Sequence, residues 1–132
     1  MTEEKLAAQE TRFARAFAKG DLSSLATVYQ PDVVYISPTT RLHDWPRQIV
    51  GVERTIAFIQ LTLRNCTNID YTVVESVVFD TGASAFVRIR FDWTRGDLRL
   101  RAYYVVLYRY RDDLIAQQEL YYDPSAELDI LT

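Results

Sequence analysis

The sequence predicts an α+β fold in which N-terminal helices pack in a curved, mostly antiparallel sheet. Apolar residues recur at helical spacing in the first half of the chain and alternate with polar residues in the second half. The second half is also rich in β-branched and aromatic residues and is divided by short turn sequences. Helices followed by consecutive strands are typical of α+β domains. The 132 residues are expected to form one domain, 1–132.

The first half begins with a well-delimited helix. Thr2 can cap it, the apolar stripe includes Leu6, Phe13 and Phe17, and Gly20 can end it. The next elements are a short helical segment at 22–29, a strand at 32–37, an irregular stretch at 38–50 and a helix at 51–64. The irregular stretch is a candidate functional loop, because long loops in compact domains are often functional.

The second half is predicted to contain four strands. They cover residues 71–79, 83–93, 98–110 and 114–122. Turns at 80–82, 94–97 and 111–113 separate them, since aspartate and glycine at these places favour tight turns. Asp123 and Pro124 are expected to end the last strand.

Composition excludes several classes of protein. The net charge of −3 argues against general nucleic-acid binding, and no apolar run approaches the ~18 residues of a membrane span. The acidic, amphipathic N-terminus does not resemble a signal peptide, so a cytoplasmic location is expected. One cysteine, Cys66, and one histidine, His43, leave no internal disulfide and too few ligands for a zinc site. We therefore expect no metal and no cofactor.

The nine tyrosines point to a small-molecule pocket. Tyrosine combines a large apolar ring with a polar tip, which suits a hydrophobic, partly oxygenated ligand. The expected partner is therefore a small hydrophobic molecule.

Several segments resemble one known superfamily. FAKGD at 17–21 and YQPDVVY at 29–35 resemble the opening of nuclear transport factor 2-like proteins, and ELYYD at 119–123 resembles their last strand. Gly51 followed by a helix also fits, so the resemblance spans about residues 12–124. It implies a cone-shaped sheet wrapped on helices around an internal pocket. The superfamily includes SnoaL-type polyketide cyclases, ketosteroid isomerases, scytalone dehydratases, limonene epoxide hydrolases and non-catalytic members, so the fold does not fix the function.

The pair Arg90 and Asp92 is the strongest candidate for catalysis. Limonene epoxide hydrolases carry an Arg-x-Asp at the matching place, and two residues separated by one on a strand share a face. By this resemblance Asp92 would act as a base or activate a water, and Arg90 would orient it. Alternatively, both side chains belong to a solvated outer face.

The turn between the two central strands decides which alternative holds. With a two- or four-residue loop around Gly96, Asp92 lies among arginines on the polar face of the hairpin. With a three-residue loop, 95–97, Asp92 faces Leu100 and points inward among pocket residues. The resemblance places both positions inward, and we adopt the inward orientation as the expectation.

Two positions depart from the related enzymes. Leu120 stands where the epoxide hydrolases have a second aspartate, so the acid–base pair is incomplete. Ser37 stands where ketosteroid isomerases have their base, and the buried acid that they carry near Val106 is missing as well. These departures argue against steroid isomerisation by that route.

Further candidates lie in the irregular stretch and on the strands. His43 beside Asp44 could serve as a general acid or base, with Trp45 near the pocket mouth, although a surface histidine is the simpler interpretation. The other expected pocket residues, with Asp44 and Trp45, are Tyr35, Ser37, Tyr104, Tyr108, Gln118 and Tyr122.

The sequence thus leads to one functional hypothesis and one alternative. The hypothesis is a small enzyme without a cofactor that performs acid–base chemistry (lyase, isomerase, cyclase or epoxide hydrolase) on a hydrophobic oxygenated molecule. The alternative is a non-catalytic module that binds a ligand or a partner. A homodimer through the sheet is expected in either case, with the strand face of Ile89, Phe91 and Trp93 as the candidate interface, since exposed apolar strand faces commonly mark association.

Overall fold

The computed structural model describes residues 1–122 and 128–131. Within them, helices pack against one curved, mixed sheet of seven strands, which confirms the predicted α+β class. The elements are α1 (Glu3–Lys19), β1 (Tyr29–Ile36), β2 (Gln48–Val50), α2 (Val52–Leu63), β3 (Thr67–Phe79), β4 (Ser84–Arg95), β5 (Leu98–Arg111), β6 (Leu114–Tyr121) and β7 (Asp129–Ile130). The strand end expected at Asp123 and Pro124 lies outside the described residues.

Helix α1 begins and ends as its sequence predicts. The Thr2 hydroxyl accepts a hydrogen bond from the Lys5 amide at 3.2 Å, and Gly20 closes the helix with a left-handed φ of 69°. Leu6, Phe13 and Phe17 are buried, so the apolar stripe of α1 faces the sheet.

The strands follow the order β2-β1-β6-β5-β4-β3, and β7 pairs with β5. All pairs are antiparallel except β1 with β6, which run parallel and place Tyr35 beside Gln118. Strand β7 contacts β5 at Leu100 and Arg101, beyond the part of β5 that β6 covers. The sheet therefore leaves a gap along β5 between β6 and β7.

The predicted boundaries need three corrections. Strand β1 begins at Tyr29, and β3 begins at Thr67, each earlier than the alternation suggested. The stretch 38–50 is not irregular throughout, because it contains a 3₁₀ helix at Thr40–His43 and strand β2, whose Ile49 is fully buried. Three residues are too few for alternation to be recognised in the sequence.

A two-residue turn, Gly96 and Asp97, joins β4 to β5 and pairs Arg95 with Leu98. This register places Asp92 opposite Arg101 and Phe91 opposite Ala102. Because Phe91 packs on α1 through Phe17, with ring centroids 6.1 Å apart, its face of the sheet is the inner one. The three-residue loop that would have turned Asp92 inward does not form.

None of the helices in the described ranges is both long and apolar enough to cross a membrane.

Candidate functional site

A cavity of about 560 Å³ lies between the inner face of the sheet and the two helices. Most of its walls are apolar or aromatic. They include Phe13 and Phe17 of α1, Ile59 and Leu63 of α2, and Tyr71, Phe91, Trp93 and Tyr104 of the sheet. Cavities of this size and character are typical of small-molecule sites.

Glu10 is a buried acid next to this cavity. Helix α1 places it on the same stripe as Leu6 and Phe13, and only 3% of its surface is exposed. The Tyr71 hydroxyl donates a hydrogen bond to its Oε1 at 2.7 Å, and the Tyr108 hydroxyl donates to its Oε2 at 3.0 Å. Gln9 Nε2 donates to the same Oε2 at 3.1 Å. The carboxyl group is therefore fully enclosed and held by three donors.

Burial raises the pKa of Glu10 above its ordinary value, because the charged form loses its hydration. The hydrogen bonds from Tyr71, Gln9 and Tyr108 lower this pKa, but desolvation is the largest effect and the net shift is upward. The protonated form of Glu10 is thus favoured over the ionised form more than in an exposed glutamate.

Tyr71 links Glu10 to the cavity. Its side chain lines the cavity, and its hydroxyl donates to Glu10. Burial raises the pKa of Tyr71 well above its ordinary value, and the nearby Glu10 carboxylate raises it further. Tyr71 therefore keeps its proton at neutral pH, and its hydroxyl can pass a proton between Glu10 and a ligand without becoming a stable phenolate.

A second polar pair lies in the wall formed by β1 and β6. The Tyr29 hydroxyl donates to Oε1 of Gln118 at 2.5 Å. Gln118 lines the cavity and lies between Tyr35 of β1 and Tyr108 of β5 in the sheet register. Gln118 on β6 is therefore the direct neighbour of Tyr108 on β5, which donates a hydrogen bond to Glu10.

The cavity wall includes most of the residues predicted for binding. They are Tyr35, Ser37, Tyr104, Gln118 and Tyr122. Tyr108 is fully buried and bonds to Glu10 instead of lining the cavity. The predicted side chains on β5 and β6 therefore share the inner face, while their binding roles stay predictions.

The loop residues His43, Asp44 and Trp45 lie outside the cavity wall. His43 is exposed and meets the ring of Phe58 at 5.8 Å, and Trp45 packs on the same ring at 5.3 Å. Thr39 and Leu42 are the residues through which this loop lines the cavity. The loop thus reaches the mouth as expected, but with other side chains than the His43–Asp44 pair.

Arg90 and Asp92 lie on the outer face of the sheet, so the expected inward orientation is wrong. The physical reason is the two-residue turn, which sets Asp92 opposite Arg101. Arg101 donates from Nε and Nη2 to the two Asp92 carboxylate oxygens at 2.8 and 2.9 Å. These hydrogen bonds are the main cause that lowers the pKa of Asp92. Asp92 is held as a paired carboxylate and does not line the cavity, although its partner Arg101 does, and Glu10 replaces it as the candidate base.

Metal binding finds no support in the described ranges. Among residues 1–122 and 128–131, no three His, Cys, Asp or Glu side chains gather where they could hold an ion. Cys66 lines the cavity, and burial raises the pKa of its thiol. A raised thiol pKa disfavours the nucleophilic thiolate.

Glu10 is not among the candidates predicted from the sequence, because only the apolar residues of α1 are assigned there to its inward face. The sequence does contain a signal, since residues 6, 10, 13 and 17 follow the four-three-four spacing of one helix face. An acid inside such an apolar stripe is a candidate for a buried titratable group.

The sequence matches one protein family, and the fold resembles several solved structures. Residues 11–118 match the family of SnoaL-like domains. An NTF2-like protein from Anabaena variabilis superposes with a TM-score of 0.77 at 17% identity, over 95% of this chain and 96% of that one. A steroid delta-isomerase from Pseudomonas aeruginosa gives 0.64 at 22% identity, over 93% and 82%.

A protein with a ketosteroid isomerase-like fold from Catenulispora acidiphila, crystallised with trimethylamine, gives a TM-score of 0.72 at 18% identity, over 95% and 89%. At these identities the likeness concerns the fold alone. No curated protein sequence matches this one.

Proposed function

Because the chain belongs to the SnoaL-like domain family, we propose that it is a small acid–base enzyme. It acts, without a bound cofactor, on a hydrophobic oxygenated molecule held in the cavity. The observation that supports this most is the buried Glu10 carboxyl, connected to the cavity by the Tyr71 hydroxyl at 2.7 Å. Buried titratable groups with shifted pKa values are typical of catalytic sites.

The reaction class that fits best is proton transfer at carbon, as in isomerisation or cyclisation. Ionised Glu10 accepts the Tyr71 proton while the Tyr71 oxygen accepts a proton from the substrate. The reverse transfer then delivers a proton to a different substrate atom, which leaves Glu10 ionised again and gives an isomer. The first step breaks the substrate C–H and Tyr71 O–H bonds and forms a new Tyr71 O–H bond and a Glu10 O–H bond. The return step breaks those two O–H bonds, restores the Tyr71 O–H bond and forms the new bond to hydrogen on the substrate, so no other reactant is needed.

The aromatic walls favour this chemistry. Phe17, Phe91 and Trp93 bring few polar atoms to the cavity, so a bound ligand displaces water from the neighbourhood of Tyr71. Electrostatic interactions are stronger in such a low-dielectric site. Epoxide hydrolysis has less support, since Arg90 and Asp92, which carried that resemblance, lie on the other face of the sheet.

The test is an exchange reaction on a simple hydrophobic ketone. 2-Tetralone carries acidic hydrogens next to its carbonyl, and their replacement by deuterium in D₂O is followed by proton NMR. We expect the protein to accelerate exchange above the buffer rate, with a rate that rises with pH as Glu10 ionises through its raised pKa.

Asp92→Asn is the matched control, because it removes a carboxylate from the outer face. It should keep the exchange rate of the wild type while lowering thermal stability through loss of the ion pair with Arg101. No acceleration by the folded wild type would contradict the enzyme and support the non-catalytic binding module.

Ile89, Phe91 and Trp93 are buried on the inner face, so the strand face expected for a dimer is not exposed. We also propose that two copies pair through the outer face of the sheet. An outer patch of Val77, Phe86, Tyr103 and Tyr121 is 38–54% exposed. Beside it, Glu75 of β3 and Arg88 of β4 form an ion pair within the chain at 3.6 Å, so these charges are already neutralised. A second copy related by a two-fold axis would meet the apolar patch with its own identical patch.

Phe86→Glu should shift the protein toward monomer, with a dimer dissociation constant raised roughly tenfold or more, because it buries a charge in the apolar contact. Sedimentation velocity over a concentration series measures this shift. Ser24→Glu, at an exposed site away from the sheet, is the control. A wild type that stays monomeric at high concentration would rule out the interface.

A further inference from the structure

The buried hydrogen-bonded pair of Tyr29 and Gln118 limits which polar groups of a ligand the cavity can bind. Both side chains are buried, with 3% and 6% of their surface exposed, but only Gln118 reaches the cavity. Tyr29 lies behind the wall, and its hydroxyl meets the Gln118 amide at 2.5 Å. Tyr29 therefore acts on the cavity through Gln118.

The direction of this hydrogen bond fixes the amide. A buried phenol that fails to donate its proton loses a hydrogen bond that water would have supplied. Within the described residues, the Tyr29 hydroxyl donates to Oε1 of Gln118 and to no other acceptor. The Gln118 carbonyl oxygen is thus engaged by Tyr29, and the amide nitrogen must lie on the other side of the group.

The amide nitrogen is available to a ligand. In the described part of the chain, Nε of Arg90 is the one enclosed side-chain nitrogen or oxygen without a hydrogen-bond partner. No described residue accepts a hydrogen bond from Nε2 of Gln118, and Gln118 lines the cavity, so its N–H groups are free of described partners at the cavity wall. At Gln118 the cavity wall therefore offers a ligand N–H donors.

We propose that Gln118 donates a hydrogen bond to a carbonyl oxygen of the ligand and that Tyr29 is the positioning residue that holds the amide for it. This deepens the proposed function, on which it rests for the choice of cavity. A ketone oxygen fits the site because it only accepts. A ligand hydroxyl could accept the same hydrogen bond, but its own proton would have to share Oε1 with the Tyr29 hydroxyl.

The position of Gln118 suits the acid–base pair. Gln118 lies directly opposite Tyr108 in the register of β5 and β6, and Tyr108 donates to Glu10. Side chains opposite each other on one sheet face are about 5 Å apart at Cβ. A carbonyl bound at Gln118 therefore lies on the strand next to Tyr108, one of the two tyrosines that donate to Glu10, and would be polarised in the same cavity that Tyr71 lines.

The experiment uses two flat tricyclic probes, 9-fluorenone and fluorene. Fluorenone adds a carbonyl oxygen and has no exchangeable hydrogen next to it, so its binding does not depend on catalysis. We expect the ratio of the fluorene to the fluorenone dissociation constant to fall roughly 3- to 10-fold in Gln118→Met, as for the loss of one hydrogen bond. The infrared C=O band of bound fluorenone should move to higher frequency in this variant.

Tyr29→Phe tests positioning. It should weaken fluorenone and shift its C=O band while leaving fluorene binding unchanged, whereas a merely structural role would weaken both probes alike. Gln117→Met, on the same strand with its side chain on the other face, should change neither probe. If Gln118→Met folds poorly because Tyr29 loses its acceptor, the double variant Tyr29→Phe/Gln118→Met removes both groups and should show the same loss of preference.

The results separate this proposal from the acid–base one. A wild type whose preference for fluorenone and whose C=O band match those of Gln118→Met overturns the role of Gln118, as does failure of fluorenone to bind. If the protein exchanges 2-tetralone but the C=O band of fluorenone does not differ between wild type and Gln118→Met, the acid–base proposal stands and the role of Gln118 is wrong. If the C=O band differs but no exchange occurs, the role of Gln118 stands and the acid–base proposal is wrong.

Discussion

Glu10→Gln is expected to slow deuterium exchange of 2-tetralone by about 10²–10⁴-fold, the usual contribution of a general base. The amide keeps the size of the carboxyl and can still bond to Tyr71 and Tyr108, but it cannot take up a proton. Fluorenone binding should not change, because the Gln118 amide does not touch Glu10. Glu53→Gln, on the exposed surface of α2, is the matched control. Equal exchange rates in wild type and Glu10→Gln would contradict the assignment.

The same variant should change how stability depends on pH. Because burial raises the pKa of Glu10, the folded state holds its proton at a pH where the unfolded state has released it. This group therefore stabilises the fold most below its unfolded pKa of about 4.3, and that part is lost as pH rises to its folded pKa. Urea unfolding across this range should show the loss in wild type and not in Glu10→Gln.

Phe13→Ala is expected to lower the free energy of unfolding by about 3–5 kcal/mol, as for other fully buried phenylalanines. Phe13 is 1% exposed, and its ring lies 6.0–6.4 Å from those of Phe17, Tyr29, Tyr71 and Tyr108. The substitution removes the ring that these four share, next to an existing cavity. Urea denaturation followed by tryptophan fluorescence measures the effect.

A half-buried phenylalanine provides the comparison for Phe13. Phe79 lies at the end of β3 and stacks on Phe86 at 5.4 Å, outside the core between sheet and helices. Phe79→Ala should lose clearly less stability than Phe13→Ala. Similar losses would mean that the ring cluster around Phe13 is not the centre of the core.

Long-range alternation and turn residues made most of the sheet predictable. The strands from 83 to 122 are long enough for their alternation to be visible, and each turn contains aspartate or glycine. β2 and β7 have three and two residues, so their existence depends on pairing with β1 and β5 and leaves no pattern in the sequence. The parallel pairing of β1 with β6 is a tertiary arrangement that only the family resemblance could suggest.

The sequence predicted most of the residues that line the cavity, but it did not predict the candidate base. Tyr35, Tyr104, Gln118 and Tyr122 follow from strand alternation once the inner face is known. The orientation of Asp92 depends on whether one turn has two residues or three, and Gly96 is compatible with both. Local sequence therefore could not decide between a catalytic carboxylate and one that is buried against Arg101 on the outer face. Glu10 could have been recognised from its position in the apolar stripe of α1.

The parallel pairing of β1 with β6 also constrains how the protein folds. β1 forms from residues 29–36 and β6 from residues 114–121, so closing this contact brings together segments that are far apart in the chain. Contacts of such high sequence separation slow folding, because the loop must be closed before the contact stabilises anything. During synthesis one edge of β1 stays unpaired until β6 has been made. Because Tyr35 of β1 and Gln118 of β6 both line the cavity, its wall should be completed late in folding.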